Sequence, residues 1–229
     1  MSFVIEPPQT PSLPVVGTED RFPIRRIFCV GRNYAAHARE MGNDPDREPP
    51  FFFMKPADAV AHDGDVIPFP PETNDLHHEG ELVVALGKGG VDIDPSDALA
   101  HVWGYAAGID LTRRDVQAVA KSMSRPWDLS KGFDNSAVIG PIHPANDVGG
   151  MNAGTLRLTV NGEERQNGDL ADMIWPTPDV IAFLSRSVEL APGDLIMTGT
   201  PAGVSQLVPG DRVVVEIAGL SDLTVEIGA

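Results

Sequence analysis

Frequent glycine and proline are the feature that most constrains how this chain can fold. The 229 residues include 23 Gly and 21 Pro, together about a fifth of the chain against about an eighth in average usage. Such a chain turns often, and both residues interrupt helices. No apolar run approaches the roughly 18 residues that a membrane span needs. The pattern favours a β-rich fold over a helix bundle and predicts no transmembrane helix.

The length predicts one domain, because a domain takes about 150 residues. Residues 1–21 contain four prolines and little periodicity, and we predict an extended N-terminal arm followed by a catalytic domain of residues 22–229. No basic segment followed by an apolar stretch marks a secretory signal. The single cysteine, Cys29, excludes an intrachain disulfide and a thiolate zinc site. We therefore expect a cytoplasmic protein.

The charge of the chain excludes one class of partner. The formal net charge is −16, whereas nucleic-acid binding needs a basic surface that displaces counterions from phosphates. Thirteen of the 17 basic residues lie at or before Lys131. We expect no nucleic-acid or membrane partner, and we expect that part of the chain to provide the positive groups that meet a small anion.

Short apolar runs and turn signals predict many strands with single helices among them. Asn161-Gly162 lies between two strand-like segments and predicts a hairpin with a type I′ turn. Helices are predicted from Thr112 to about Lys121, where Thr112 and Asp115 resemble a capping box, and from Thr177, where Pro178 suits the first turn. Helices scattered singly among strands predict an α+β fold on antiparallel or mixed sheets. The predicted strands include Arg26–Val30, Phe51–Met54, Glu81–Leu86 and Val102–Ile109.

Three carboxylates are candidates for a metal site. Glu79 and Glu81 enter a predicted strand, where side chains two apart point the same way with Cα atoms about 7 Å apart. Asp110 ends an apolar run, and a carboxylate at the end of a buried strand is costly unless it is paired or bound to a metal. An all-oxygen site suits Mg²⁺, with Mn²⁺ or Ca²⁺ as alternatives, rather than zinc. The alternative is two solvated acids at a strand end and an acid in a local turn.

A short helix carries a candidate acid–base pair. Asn33 suits an N-cap for a helix from Tyr34 to Met41, within which His37 and Glu40 share a face at positions i and i+3. A carboxylate beside an imidazole orients the ring and raises its basicity, so that it can activate water. The same pair is also common on surface helices without any role.

Several cations lie beside apolar or aromatic residues. Arg32 precedes the short helix, Lys55 follows Phe53-Met54, and Lys131 follows Trp127-Asp-Leu-Ser130. Each alone is equally typical of a surface residue that buries only its aliphatic stem. The segment Thr198-Gly-Thr-Pro201 follows a strand and can offer backbone and hydroxyl donors to an anion, or form a simple turn.

These segments, in this order, resemble the fumarylacetoacetate hydrolase superfamily. The resemblance extends from about Arg26 to Ile227, and within the superfamily it is closest to the fumarylpyruvate hydrolases of bacterial gentisate degradation. Gly80 is a departure, because bulkier residues often stand between the two glutamates, but the spacing of the carboxylates is intact. The matching segments are Gly31-Arg-Asn-Tyr34 with Ala-Ala-His37-Ala-Arg-Glu40, Phe53-Met-Lys55-Pro56, His78-Glu79-x-Glu81, Asp110-x-Thr-x-Arg-Asp-Val-Gln117, Lys131 and Thr198-Gly-Thr-Pro201.

The resemblance implies a fold and a set of site residues. It implies mixed β-sheets rolled around the active site, few short helices, a homodimer and a divalent metal. His37 and Glu40 would form a catalytic dyad on a helix that acts as a lid, and Lys131 would lie beside the substrate. The implied residues are His37, Glu40 and Lys131 for catalysis, Glu79, Glu81 and Asp110 for the metal, and Arg32, Lys55, Gln117 and Thr200 for the substrate.

The implied activity is hydrolysis of a carbon–carbon bond in an acylpyruvate, with 3-fumarylpyruvate giving fumarate and pyruvate. The dyad would deprotonate a water that attacks the distal carbonyl, and the metal and Lys131 would stabilise the pyruvate enolate that leaves. The nearest alternative is decarboxylation of oxaloacetate, or a broader acylpyruvase, on the same fold. A more distant alternative is a metal-stabilised binding protein without catalysis, against which His37 and Glu40 argue.

Overall fold

The structure is a computed structural model that describes residues 2–36 and 49–229. Its α-helices over these residues are α1 (Arg114–Ser122), α2 (Asp128–Lys131), α3 (Ala145–Val148) and α4 (Thr177–Ser187). Its strands are β1 (Ser12–Pro14), β2 (Arg21–Pro23), β3 (Arg26–Gly31), β4 (Phe51–Lys55), β5 (Val60–His62), β6 (Val66–Ile67), β7 (Leu76–His77), β8 (Gly80–Leu86), β9 (Val102–Asp110), β10 (Thr112–Arg113), β11 (Ala137–Ile139), β12 (His143–Pro144), β13 (Thr155–Val160), β14 (Glu163–Asp169), β15 (Asp194–Met197), β16 (Gln206–Leu207), β17 (Arg212–Ile217) and β18 (Leu223–Ile227).

The largest sheet carries three of the predicted site residues, Lys55, Glu81 and Asp110. Its strands lie in the order β4, β3, β15, β8, β9, β11 and β5, and β12 pairs with β9. The β15–β3 and β11–β5 pairs are parallel and the others are antiparallel, so the sheet is mixed. All seven residues of β8 are buried, because this central strand is covered on both faces.

Two apolar cores lie on opposite faces of this sheet. Leu82 and Val84 belong to a core that includes apolar residues of β13, β17, β18 and β6, which lie in the five-stranded sheet with β14. Val83 and Ala85 belong to a second core, which includes Leu13 from the N-terminal hairpin. This assignment follows the alternation of side chains along a strand. The predicted fold class, an α+β fold of mixed sheets with few short helices, is confirmed.

Local turn chemistry agrees with several predicted elements. Asn161 has φ 54° and Gly162 has φ 82°, and two successive positive φ angles define the type I′ turn predicted between β13 and β14. Helix α4 begins at Thr177, with Pro178 in its first turn, as predicted. Its buried apolar face fixes it against the larger core.

One predicted helix cap is wrong. Thr112 and Arg113 are extended and pair with His77 and Leu76, so α1 begins two residues later than predicted. Sheet pairing competes with the cap here, because it satisfies backbone groups that a helix start would leave open. Asp115 accepts hydrogen bonds from Thr73 Oγ1 at 2.6 Å and Asn74 N at 2.9 Å, so part of its carboxylate serves the preceding loop.

Asn33 forms hydrogen bonds with two later segments of the chain. Its Nδ2 donates to Trp175 O at 2.9 Å and Thr198 O at 2.8 Å, and its Oδ1 accepts from Trp175 N at 2.7 Å. The side chain ties the end of β3 to two later segments, and its role as a helix cap stays a prediction. Most of the helix predicted from Tyr34 to Met41 lies outside the described residues.

The N-terminal segment pairs within itself. Strands β1 and β2 form an antiparallel pair, and Leu13 is fully buried in the second core. This pairing crosses residue 21, and the division into an arm of residues 1–21 and a domain of residues 22–229 stays a prediction. Over the described ranges, no helix is long and apolar enough to cross a membrane.

Candidate active site

Strands β8 and β9 bring the three predicted carboxylates together. Gly80 pairs with Ile109, and Asp110 N donates to Glu79 O at 2.8 Å, so Asp110 lies beside the start of β8. One oxygen from each of Glu79, Glu81 and Asp110 lies within 4.8 Å of the others. All three side chains are buried. The three carboxylates therefore form a compact cluster only because β8 and β9 are neighbouring strands.

Basic side chains surround two of these carboxylates. Lys131 Nζ donates to Glu79 Oε2 at 2.7 Å and to Asp110 Oδ2 at 2.8 Å. Arg114 Nη2 donates to Glu79 Oε1 at 2.6 Å. Lys55 Nζ lies 2.8 Å from Asp110 Oδ1 and also donates to the carbonyl oxygens of residues 111 and 131. The cluster is thus an alternation of buried acids and bases.

Glu81 differs from the other two acids. Its Oε2 accepts a hydrogen bond from Gly199 N at 2.7 Å, and it forms no ion pair with any residue that the structure describes. Burial raises the pKa of Glu81 well above its ordinary value, and the carboxylates of Asp110 and Glu79 raise it further. Lys131 and the Gly199 N–H only partly oppose this rise. A carboxylate in this position favours a nearby cation or a proton.

Lys131 stays charged in the cluster. Burial lowers the pKa of its ammonium, but the carboxylates of Asp110 and Glu79 outweigh burial, and the pKa lies above its ordinary value. The ammonium also lies 5.0 Å from the centre of the Phe53 ring, a distance suited to a cation–π contact. Lys131 therefore brings a permanent positive charge to the acids.

The three carboxylates fit a divalent cation. Their oxygens are the hard donors that such ions prefer. Glu81 lacks a basic partner among the described residues. Asp110 Oδ1 is buried and accepts no hydrogen bond from the part of the chain that the structure describes, because the approach of Lys55 lacks hydrogen-bond geometry. Such under-satisfied buried oxygens are the groups that a bound cation would stabilise.

A cavity opens directly onto this cluster. Its wall includes Glu79, Glu81 and Lys131 together with three of the predicted substrate contacts, Arg32, Gln117 and Thr200. Aromatic side chains from β4 and the loop before α2 complete the wall. The predicted site residues that the structure describes are thus brought to one place, with the exceptions given next.

Lys55 lies beneath the cavity and not on its wall. Its side chain is buried, and its ammonium contacts Asp110 and two backbone carbonyls. Its predicted contact with substrate stays a prediction. His37 and Glu40, the predicted dyad, lie outside the described residues.

The Thr200 hydroxyl is engaged within the protein. It donates to Gly80 O at 2.8 Å and accepts from Gln166 Nε2 at 2.7 Å. Because a carbonyl can only accept and an amide NH₂ can only donate, the hydroxyl proton points to Gly80. In this arrangement, the hydroxyl proton of Thr200 is not available for a contact with substrate.

Sequence reasoning missed two basic residues of this site. Arg114 pairs with Glu79 and also donates from Nη1 to Gln117 Oε1 at 2.7 Å. Lys121 lines the cavity, and burial, followed by the charges of Arg32 and Arg114, lowers its pKa. Both lie on α1 with Gln117, at helical spacing, so a helical reading of residues 114–121 could have found them.

Residues 26–227 match the model of the fumarylacetoacetate (FAA) hydrolase C-terminal family. The chain belongs to the fumarylacetoacetate hydrolase family. Its fold matches that of the fumarylpyruvate hydrolase from Pseudomonas aeruginosa, solved in complex with Mn²⁺ and pyruvate, with a TM-score of 0.98 at 48% identity over 99% of each chain. The predicted family is confirmed.

Relatives with two activities match most of the chain. The fumarylpyruvate hydrolase of a Ralstonia species is 38% identical over 82% of this chain and 98% of its own length. The mitochondrial oxaloacetate decarboxylase of Dictyostelium discoideum is 42% identical over 86% of this chain and 90% of its own length. These relatives support the predicted carbon–carbon hydrolase and also its nearest alternative.

Proposed function

We propose that this protein hydrolyses a carbon–carbon bond of an acylpyruvate, converting 3-fumarylpyruvate to fumarate and pyruvate. The observation that carries this proposal is the buried cluster of three carboxylates and Lys131 at the floor of one cavity. Pyruvate is the molecule bound with Mn²⁺ in the similar Pseudomonas structure. A cleavage that releases pyruvate as its enolate needs such a centre, because negative charge develops on the pyruvoyl oxygens.

The cavity also suits an anionic keto acid. Arg32, Arg114, Lys121 and Lys131 bring four basic groups to its wall, although the whole chain carries −16. Fumarylpyruvate has a carboxylate at each end. The pyruvoyl end would lie over the carboxylate cluster, and the distal carboxylate would lie toward the outer cations.

In the proposed reaction, the oxygen of water bonds to the carbonyl carbon of the acyl group. The bond from that carbon to the pyruvate methylene then breaks, its electron pair leaves in the pyruvate enolate, and a proton on carbon restores pyruvate. A divalent cation held by Glu79, Glu81 and Asp110 would supply positive charge to the pyruvoyl oxygens. Lys131 Nζ, 2.7 to 2.8 Å from two of these carboxylates, adds a second charge. We assign deprotonation of the water to His37 and Glu40.

Oxaloacetate decarboxylation is the second candidate. The Dictyostelium relative that matches 86% of this chain carries that activity in its name. Decarboxylation also leaves a pyruvate enolate, so it needs the same charged floor, but it needs no attacking water. The two reactions therefore share the cluster and differ in their need for a base.

One set of assays tests the proposal. Purified protein is offered fumarylpyruvate, maleylpyruvate, acetylpyruvate and oxaloacetate, with Mg²⁺ or with EDTA, and the loss of acylpyruvate absorbance or oxaloacetate is followed. We expect the highest kcat/KM with fumarylpyruvate and no turnover in EDTA. Turnover of oxaloacetate alone would replace the proposal with the second candidate, and turnover of none would leave a binding protein.

Three finer points are part of the same proposal. We propose Mg²⁺ as the physiological ion, with Mn²⁺ and Ca²⁺ as alternatives, to be compared by metal content after purification. We propose a homodimer, to be tested by analytical ultracentrifugation. We propose a cytoplasmic role in bacterial aromatic-compound degradation, which fractionation of cells grown on an aromatic acid would test.

A further inference from the structure

A single buried amide stands out on strand β14. Gln166 is 1% exposed, whereas every other residue of Glu163–Asp169 is exposed or half-buried. A buried amide is costly unless its donors and acceptors are satisfied. Gln166 plays no part in the reaction described above, so its burial needs another explanation.

All hydrogen-bonding capacity of this amide is directed at the two segments that hold Glu81. Its Oε1 accepts from Gly80 N at 2.9 Å and His78 Nδ1 at 3.1 Å. Its Nε2 donates to Thr200 Oγ1 at 2.7 Å and Pro201 O at 2.8 Å. A backbone N–H can only donate and a carbonyl can only accept, so the orientation of the amide is defined on both sides.

The neighbours of Gln166 extend this connection. Because Oε1 accepts from His78, the ring proton lies on Nδ1, and His78 Nε2 is free to accept from Ser205 Oγ at 2.8 Å. Thr200 Oγ1, which accepts from Gln166, in turn donates a hydrogen bond to Gly80 O. Both backbone groups of Gly80 are therefore tied, directly or through Thr200, to one side chain.

These contacts lie directly beside the carboxylates. Gly80 is the residue between Glu79 and Glu81, and the residue before Thr200 donates its N–H to Glu81 Oε2 at 2.7 Å. We propose that Gln166 is a positioning residue, which holds the Glu79–Glu81 segment against the Thr198–Pro201 loop so that the carboxylates keep the spacing a divalent cation needs. This inference rests on the metal site of the proposed function.

The space around Gly80 agrees with this role. A Cβ at this position would lie 3.1 Å from Leu158 Cδ1 and 3.4 Å from Gln166 Oε1. A larger residue would therefore press on the amide and on the core beneath it. The glycine that departs from the family pattern is the residue that leaves room for this contact.

The test measures metal binding directly, by titration calorimetry with Mn²⁺ and no substrate. In Gln166→Met, a side chain of similar length has no hydrogen-bonding groups. We expect Mn²⁺ to bind about 10- to 100-fold more weakly, the usual effect of removing a group that orients metal ligands. In Gln166→Met, we expect kcat to return toward the wild-type value when the metal is saturating. At low metal, we expect kcat/KM to stay below the wild-type value.

Two control variants separate positioning from stability. Asn167→Ala changes the exposed neighbour on the same strand, whose side chain donates a hydrogen bond to Glu164, and should leave Mn²⁺ affinity unchanged. Val225→Ala removes methyl groups from the buried core of β18 and should lower Tm without weakening Mn²⁺ binding. A loss of Mn²⁺ affinity in Val225→Ala equal to that in Gln166→Met would overturn the positioning role.

A second variant keeps the inference testable if Gln166→Met does not fold. Thr200→Val replaces the hydroxyl that Gln166 contacts with a methyl group, and it should also weaken Mn²⁺ binding. If Gln166 acts through Thr200, the double variant Gln166→Met/Thr200→Val should lose less Mn²⁺ binding free energy than the two single variants lose together. Wild-type Mn²⁺ affinity in both single variants would overturn the inference.

The outcomes also separate this inference from the proposed function. If wild-type protein binds Mn²⁺ but hydrolyses no acylpyruvate, the proposed function fails, and the affinity of Gln166→Met still decides the role of Gln166. If wild-type protein binds no Mn²⁺, both the metal site and this role are wrong.

Discussion

At the scale of single residues, the most informative feature is the unequal environment of three neighbouring carboxylates. Glu79 and Asp110 each contact Lys131, whereas Glu81 is held by the backbone N–H of Gly199. Burial raises the pKa of Glu81 well above its ordinary value. Glu81 is therefore the carboxylate whose charge depends most on an added cation.

We expect Glu81→Gln to lower metal affinity and activity together, because the amide keeps the shape and removes the charge. EDTA should abolish turnover in the wild type, and Mg²⁺ or Mn²⁺ should restore it. Calorimetry and steady-state rates measure both effects. Glu226→Gln, on an exposed position of β18, is the control and should change neither. Full activity of metal-free protein would contradict the metal site.

Lys121 tests how the cavity selects its substrate. This lysine lies on the wall and forms no ion pair with any described residue, while Arg32 and Arg114 repel its charge. We expect Lys121→Met to raise KM for fumarylpyruvate about 5-fold, the effect of losing an exposed ion pair of about 1 kcal/mol. KM for acetylpyruvate, which lacks the distal carboxylate, should not change. Lys88→Met, at an exposed position away from the cavity, is the control, and an equal rise for both substrates would contradict this role.

His37 tests the assignment of the base. Replacing the imidazole in His37→Ala should reduce hydrolysis about 10²- to 10⁴-fold, the usual contribution of a general base. Mn²⁺ binding should survive, because no proposed ligand changes, and any oxaloacetate decarboxylation should fall much less. Glu40→Gln should have a milder effect, since the imidazole remains. Wild-type hydrolysis by His37→Ala would mean that the pair has no catalytic role, and an equal fall of both reactions would point to a structural one.

At the scale of elements, the site depends on how the loop after β15 meets β3 and β8. Gly199 in this loop has φ 97°, and its N–H faces Glu81. A Cβ at Gly199 would lie 2.7 Å from Asn33 Cβ, whose side chain ties residues 175 and 198 together. The loop can hold its N–H against the carboxylate only because this position has no side chain.

We expect Gly199→Ala to lower both Tm and Mn²⁺ affinity, because the new methyl group pushes the loop away from Glu81. Gly162→Ala is a matched control. It has a similar positive φ of 82° but open space around it, so it should cost only about 1 kcal/mol of backbone strain. Its Mn²⁺ affinity should equal that of the wild type. Equal Mn²⁺ affinities for the two variants would show that the loop does not position Glu81.

At the scale of the whole molecule, a strongly acidic chain surrounds a cavity with basic groups. The net charge of −16 repels an anionic substrate at long range, while Arg32 and Lys121 attract it at the wall. Salt screens the long-range part most, since the Debye length falls to about 8 Å at 0.15 M. We therefore expect kcat/KM for fumarylpyruvate to fall less than about 2-fold between low salt and 0.15 M. A steep fall in stopped-flow or steady-state rates would indicate that cationic steering dominates.

The sequence alone determined the features that depend on local chemistry. The two-residue spacing of Glu79 and Glu81 at a strand start predicted that they lie together, Asn161-Gly162 specified its turn, and the lack of paired cysteines left oxygen ligands as the choice for a metal site. Six segments in a fixed order also identified the family. These inferences succeeded because period, turn type and donor chemistry are properties of residues close in the chain.

Only the tertiary structure decided which distant residues meet. The pairing of β8 with β9 places Asp110 beside Glu79, and the packing of α1 brings Arg114 and Lys121 to the cavity. The burial of Gln166, on a strand whose other residues are exposed or half-buried, had no local signal. Sequence patterns report periodicity along one element, whereas a hydrogen bond between residues 80 and 166 depends on the packing of two sheets, and no single element encodes that contact.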